Sequence, residues 1–146
     1  MFNRQKCFWK YRKKYLKSNV KIFKKYYEFR CRLLNRKSNS GIPLNNNINE
    51  FVAPHGLSGI YISKNSKIGK NCTIFHQVTI GLNDIKDSVK YGSPIIGANC
   101  YIGAGAKIIG NVKIGNNCRI GANCVVTEDI EDNCTVVMQK PRIIKR

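Results

Sequence analysis

The sequence lacks any run of about 18 apolar residues, so we expect no membrane-spanning helix. Its start, MFNRQKCFWKYRKKYLK, contains no apolar signal core, and we do not expect secretion. It has no CxxC pair, no P-loop and no G-x-S-x-G elbow, which leaves neither a metal site nor a covalent nucleophile as an expectation. We therefore expect one cytoplasmic domain with an appendage.

A period of six residues dominates what is present. Isoleucine or valine recurs at this step in two series, and glycine often follows it. A helix repeats near 3.6 residues and a strand near 2, so neither explains the period. The series are Ile62, Ile68, Ile74 and Ile80, then Ile96, Ile102, Ile108, Ile114, Ile120 and Val126.

A short strand followed by a bend every six residues would place all these side chains on one inner wall. Asparagine and glycine crowd the bends, and both tolerate left-handed backbone. Stacked coils would then bury a continuous aliphatic ladder. The pattern predicts a mainly β fold, a parallel β-helix of hexapeptide repeats. Four cysteines occupy the small position of the repeat, and we expect buried, reduced thiols at Cys72, Cys100, Cys118 and Cys124.

The basic charge is concentrated in an N-terminal arm. Residues 1–37 hold 14 of the 26 Lys and Arg and one acid, a net charge of +13 out of +18, together with nine aromatics. One helical stripe is predicted to contain Phe8, Tyr11, Tyr15, Ile22, Tyr26, Phe29 and Leu33, with a break near 18–19. Packing on the β-helix or a neighbouring subunit and binding to an anionic membrane surface both remain open. Nucleic acid is not expected, because no binding-module signature is present.

The chain divides into four segments. Residues 1–37 are a basic amphipathic helical arm, and 38–59 are a connector and first irregular coil. Residues 60–130 are the β-helix, interrupted by a loop at 82–94 because the 16-residue gap from Ile80 to Ile96 is not a multiple of six. Residues 131–146 are a tail that leaves the repeat and closes the end.

The two histidines, His55 and His76, are the candidates for catalysis. His55 lies just before the first regular coil in PHGLSG, and His76 follows 21 residues later. Because one coil of three hexapeptides is 18 residues, His76 is predicted about one coil further along on a nearby face. A neutral imidazole can act as general base in a direct transfer to a hydroxyl. Structural or solvated histidines are the alternative.

The segments PHGLSGIYISKNSKIGKNCTIFHQVTIG and IGAGAKIIGNVKIGNNCRIGANCVVTEDI resemble the serine acetyltransferase-like branch of the hexapeptide acyltransferases. The resemblance covers roughly residues 41–144. It implies a left-handed parallel β-helix, a homotrimer, and acetyl-CoA bound in clefts between subunits. It assigns the catalytic base to His55, with His76 as a second candidate. The implied CoA contacts are Gly81, Ala104, Gly105, Arg119 and Ala122.

Charge adds two further candidates, because the phosphates of CoA need cations. Lys140 and Arg142 lie in the tail that, by the resemblance, helps to hold the nucleotide end. Solvated tail residues are the alternative. We expect acetyl-CoA as the co-substrate and no metal.

The sequence departs from the resemblance at the acceptor site. The acids that serve the histidine and the serine amine align with Gly41 and Pro54, and the Arg-His pair that grips the serine carboxylate aligns with Gly92 and Ser93. A neutral acceptor fits these residues better than an amino acid. We therefore expect an acetyl-CoA-dependent O-acetyltransferase with a saccharide or glycan precursor as acceptor, in the cytoplasm or at the inner face of the membrane. Serine acetylation for cysteine synthesis and a non-catalytic β-helical scaffold remain as alternatives.

Overall fold

The computed structural model describes residues 3–140, 142 and 144. Two helices come first, α1 (Arg4–Lys17) and α2 (Lys21–Lys37). Eleven strands of two or three residues follow. They are β1 (Tyr61–Ile62), β2 (Lys67–Ile68), β3 (Thr73–Ile74), β4 (Thr79–Gly81), β5 (Ile95–Ile96), β6 (Tyr101–Ile102), β7 (Lys107–Ile109), β8 (Lys113–Ile114), β9 (Arg119–Ile120), β10 (Val125–Val126) and β11 (Thr135–Val136).

The strands form three parallel sheets, each taking one strand from every coil. The first sheet has the order β1-β4-β7-β10, the second β2-β5-β8, and the third β11-β9-β6-β3. The paired residues Lys107 and Val125 are 18 positions apart, which is one coil. Thr79 and Lys107 also pair but are 28 positions apart, because the loop at 82–94 leaves the coil between them. That loop is closed by mutual backbone hydrogen bonds of Asn83 and Gly92, at 2.9 Å each.

The inner wall is the predicted isoleucine ladder. Every isoleucine and valine of the two six-residue series is at most 6% exposed. Five turn asparagines adopt the left-handed backbone that the bends require, with φ between 57° and 63°. They are Asn71, Asn99, Asn117, Asn123 and Asn133. The four small-position cysteines are free and buried, as the repeat predicts.

The ends of the β-helix differ from the sequence-based boundaries. Gly41, Ile48 and Val52 form parallel bridges to the following coil, so the first irregular coil is part of the stack. At the other end, β11 pairs with β9 and Ile130 bridges to Ile114. The tail therefore does not leave the repeat at residue 131. It completes a shortened last coil before the chain departs.

The arm is a helical hairpin held by one face of α1. Trp9 packs edge-on against Phe51 with ring centroids 5.0 Å apart. The guanidinium of Arg12, whose pKa burial lowers, donates to the carbonyls of Asn45 and Ile48. These contacts bury α1 against the first coil, so the helix is fixed to the β-helix.

The predicted single stripe of the arm is wrong. Phe8 is fully buried, whereas Ile22 and Phe29 are 78% and 62% exposed. The buried residues of α2 are instead Cys31 and Leu34. The hairpin folds the two helices against each other, so the face that packs changes along the arm. Residues 21–26, at the start of α2, are all exposed. No helix in the described part of the chain is long and apolar enough to cross a membrane.

Candidate active site

His55 and His76 lie side by side at one corner of the β-helix. His55 is in the turn before β1, and His76 is in the turn between β3 and β4. Their Nδ1 atoms are 2.9 Å apart, and the ring planes are tilted by 38°. The separation of 21 residues places them one coil apart, as the sequence predicts, and the structure adds the direct contact between the rings.

This contact constrains the protons of the pair. Two ring nitrogens at hydrogen-bond distance require that one donates and the other accepts. When His55 carries its proton on Nδ1 and donates to His76, the Nε2 atom of His55 keeps a lone pair. That arrangement leaves one basic nitrogen available to a substrate hydroxyl, which is what a general base needs.

The turn that carries His76 belongs to a column of turns that we call the histidine corner, residues 58, 76–77, 104–105 and 122–123. The amide of Gly105 donates to the carbonyl of His76 at 3.0 Å, and the amide of Asn123 donates to the carbonyl of Ala104 at 2.8 Å. Because stacked strands are about 4.8 Å apart, Ala122 lies about 10 Å from His76 along the corner. Two predicted CoA contacts, Ala104 and Gly105, thus adjoin the histidine pair.

Gly105 keeps this corner narrow. Its φ is +71°, and a Cβ at this position would lie 2.1 Å from Oδ1 of Asn123. A larger residue would therefore have to displace the side chain of Asn123 in the neighbouring turn. The glycine leaves the backbone of the corner accessible, which suits the close approach of an extended ligand.

The other predicted cofactor contacts are more distant from the pair. Gly81 ends β4 and contacts Ile109, on the first sheet away from the corner. Arg119 begins β9 on the third sheet and is exposed beside a shallow cavity of about 430 Å³ that Tyr101 also lines. Lys140 and Arg142 are exposed in the segment after β11. That segment starts beside Gly121, where Val137 packs, and so begins near Ala122.

Known proteins with similar sequences and structures are hexapeptide transferases and serine acetyltransferases. The model of the bacterial transferase hexapeptide (six repeats) matches residues 93–128. A serine acetyltransferase of Synechococcus elongatus is 39% identical over 92 residues, which are 63% of this chain and 36% of that protein. The structure of serine acetyltransferase isoform 3 from Entamoeba histolytica, in complex with cysteine, matches with a TM-score of 0.70 and 32% identity over 83% of this chain and 43% of that one.

A third relative, the serine acetyltransferase of Neisseria gonorrhoeae, matches with a TM-score of 0.67 and 25% identity, over 98% of this chain and 52% of that chain. The chain is similar to the hexapeptide-repeat transferases and, within them, to serine acetyltransferases. The predicted resemblance to the serine acetyltransferase-like branch is confirmed, and the fold is the left-handed parallel β-helix of these structures. The chain spans about a third to a half of the length of these relatives.

The positions at which the sequence departs from the serine acetyltransferases make contacts within the chain. A Cβ on Gly41 would lie 2.8 Å from the ring of Tyr61, so no acid fits there without moving that ring. Gly92 holds the base of the loop at 82–94, and the hydroxyl of Ser93 is 2.8 Å from that of Ser63. These positions are therefore occupied by contacts that maintain the fold.

A cavity of about 620 Å³ adjoins His55, and the helical arm contributes to it. The lining includes both ends of the hairpin, which the sequence did not connect with the histidines, because nothing in a sequence states where a helix docks. Among the described residues that line this cavity, none carries a carboxylate. Its lining includes Arg4, Lys37, Asn39, Pro54, Leu57 and Ser58.

Sequence reasoning also missed Phe75. Its ring packs edge-on against His55 with centroids 5.2 Å apart, and it contacts Tyr101 at 5.0 Å on the other side. The signal was present, because a residue directly after a buried repeat isoleucine points outward, toward whatever lies beside His76. Phe75 therefore restricts the His55 ring on the side that it contacts.

Proposed function

We propose that the chain is an acetyl-CoA-dependent O-acetyltransferase that uses His55 as general base. The observation that carries the proposal is the hydrogen-bonded pair of His55 and His76 next to the Ala104–Gly105 turn. A catalytic imidazole and an open glycine turn in consecutive coils provide the two elements of a direct acyl transfer, a base and a groove for an extended thioester.

The reaction needs no covalent enzyme intermediate. Nε2 of His55 takes the proton of the acceptor hydroxyl while that oxygen attacks the thioester carbonyl carbon. The carbon–sulfur bond then breaks, the acetyl group remains on the acceptor, and the proton on His55 passes to the CoA sulfur. During the step His55 is an imidazolium, which the lone pair on Nδ1 of His76 stabilises.

Two acceptors are supported by different observations. The relatives are serine acetyltransferases, which favours serine. The lining of the cavity beside His55 favours a saccharide hydroxyl, because its described residues offer no carboxylate to hold an amine. Losing a charged partner of a bound ligand costs about 2–5 kcal/mol. Serine is the first candidate because the similar proteins are serine acetyltransferases. A saccharide is the second candidate because of the chemistry of the cavity.

A homotrimer is part of the proposal. The histidine corner lies on the outside of the β-helix, and one convex corner gives an extended ligand a single wall. Cyclic packing of three chains would supply a second wall to each of three equivalent grooves. Three chains of 16.6 kDa would have a mass of about 50 kDa in solution.

The test is thiol release from acetyl-CoA by the full chain, with serine and a panel of sugars as separate acceptors. Release that depends on an acceptor and is lost in His55→Ala supports the proposal, and the acceptor that gives the higher kcat/KM decides between the two candidates. If the chain neither released thiol nor bound acetyl-CoA, the proposed activity would be rejected in favour of a non-catalytic β-helical scaffold.

A further inference from the structure

The tip of the helical hairpin exposes a cluster of large apolar side chains. We call residues 10–29 the hairpin tip. Ile22 is 78% exposed, Phe23 56% and Val20 53%. Phe29, about two turns further along α2, is 62% exposed. Contiguous exposed apolar groups on one element indicate a surface that binds a partner, since leaving them in water is unfavourable.

Cations surround this apolar cluster. Four lysines of α1 at helical spacing line a groove of about 410 Å³ between the two helices, and aromatic rings of α2 form its other wall. The ammonium group of Lys24 lies 5.3 Å from the ring of Tyr15, so aromatic and basic groups interleave along the tip. The groove residues are Lys10, Lys13, Lys14, Lys17, Phe23 and Tyr27.

The hairpin tip contains one acid, which is too few to offset the charge of its lysines. The one acid among the first 37 residues is Glu28, which is paired with Arg32 at 2.5 Å. The partner of the tip must therefore be anionic and must also accept aliphatic and aromatic groups. A bilayer surface with anionic lipids has both properties, because its headgroups attract lysine and its acyl boundary accepts apolar side chains.

The same charges disfavour the other occupants. A second copy of the chain would bring one +13 arm against another, or against a remaining segment whose net charge is +5. Single-stranded nucleic acid stacks its bases on flat rings, yet the most exposed apolar residue at the tip is the aliphatic Ile22. Hydrocarbon is the environment that suits Ile22, Val20 and Phe23 together.

We propose that the hairpin tip docks on the surface of anionic membranes, with Ile22 and Phe23 in the interface and the α1 lysines on lipid headgroups. Because Trp9 and Arg12 fix α1 to the first coil, docking also fixes the orientation of the β-helix. Arg4 lines the cavity beside His55, and the 14 residues from Arg4 to Lys17 span about 20 Å of helix. The cavity is thereby held at a set distance from the surface. This membrane-docking proposal does not depend on the proposed acetyltransferase activity.

Cosedimentation of the full chain with vesicles tests this. The vesicles contain phosphatidylcholine with about 30% phosphatidylglycerol, and pure phosphatidylcholine vesicles are the reference. We expect binding to the anionic vesicles at low salt and weaker binding at high salt. Each lysine at such a surface contributes about fivefold to the partition coefficient, so Lys13→Gln with Lys17→Gln should lower it about 25-fold. The matched control is Lys70→Gln with Lys113→Gln, which removes the same charge from exposed positions on the β-helix and should have a much smaller effect.

A second variant isolates the apolar part. Ile22→Ser with Phe23→Ser keeps every charge and should lower the partition coefficient at least tenfold while making the remainder more sensitive to salt. Unchanged partition in this variant, an equal loss in the β-helix control, or no binding of the intact chain would each overturn the proposal. A changed mass by light scattering in the serine variant would assign the tip to a second copy instead. Retained polyuridylate binding without vesicle binding would assign it to nucleic acid.

Discussion

The Nδ1 atom of His76 lies 2.9 Å from the Nδ1 atom of His55, in the position from which an acid would orient a catalytic histidine. In the resemblance to serine acetyltransferases, the acid that orients the histidine aligns with Gly41. The ring of Tyr61 occupies the space that a side chain on Gly41 would need. A neutral imidazole can accept the Nδ1 proton of His55 as a carboxylate would, although without a full negative charge. His76 is thus a positioning residue in the proposed mechanism rather than a second base.

Replacement of His76 should separate this role from binding. His76→Leu removes the acceptor for the Nδ1 proton of His55, and we expect kcat to fall at least tenfold with little change in the KM for acetyl-CoA. His76→Asn places an amide oxygen near the lost Nδ1 atom and should restore much of the rate. Steady-state kinetics of the two variants provide the measurement, with His55→Ala, expected to lose roughly 10²–10⁴ in kcat, as the reference. Equal rates for the leucine and asparagine variants would contradict the positioning role.

The narrow histidine corner yields a prediction about stability, with a matched control in the same chain. Gly105 and Gly56 both have positive φ, +71° and +74°, but a Cβ on Gly56 would meet nothing within 4 Å. Gly56→Ala should therefore cost only the left-handed backbone, about 1–2 kcal/mol. Gly105→Ala adds the collision with Asn123 and should cost clearly more. Thermal unfolding of both variants measures the difference, and equal losses would show that the side chain of Asn123 moves aside freely.

Much of this fold was predictable because the repeat is local. Ile102 and Ile120 are buried one above the other for a reason visible in the sequence, namely that they are 18 residues apart, which is three steps of the six-residue repeat. The approximate proximity of His55 and His76 followed from the same rule. The rotation of the two rings, which brings one Nδ1 atom to the other, could not be predicted from that rule. It depends on side-chain packing around the pair, which includes the contact of Phe75 with His55.

The arm shows where local rules stop. Phe8 and Ile22 fit one helical stripe equally well, yet one is fully buried and the other is 78% exposed. The burial of these two side chains depends on where the hairpin turns and on which face of the arm packs against Phe51. Both are determined by contacts between segments that are far apart in sequence. The part of the arm that lines the cavity beside His55 was hidden for the same reason.

Asn117 lies in a ladder of side-chain amides that runs along one corner of the β-helix. It accepts from Asn99 at 3.2 Å and donates to Asn133 at 3.0 Å, and its φ is 58°. Asn117→Gly keeps the backbone conformation and loses the amide contacts, for about 1 kcal/mol. Asn117→Ala also incurs the left-handed penalty, so its loss should reach about 2–3 kcal/mol. Chemical unfolding distinguishes the two, and an alanine variant as stable as the glycine variant would contradict the assignment of strain to this turn.

The exposed tail cations remain a prediction for CoA binding. The tail starts beside Gly121, close to Ala122 at the end of the histidine corner that lies farther from His76, so a thioester placed at His55 would extend its nucleotide toward Lys140 and Arg142. Exposed contacts contribute at most about 1 kcal/mol each, so replacing both by alanine should weaken acetyl-CoA binding by up to about thirtyfold. Calorimetry with acetyl-CoA and with its analogue lacking the 3′-phosphate separates phosphate contacts from a general charge effect. If the tail cations contact the 3′-phosphate, the tail variant should bind the two ligands with similar affinity. A general charge effect would leave the difference between the two ligands unchanged. Replacement of Lys70 and Lys113 by alanine gives the charge-matched control. An unchanged dissociation constant in the tail variant would return Lys140 and Arg142 to the status of solvated residues.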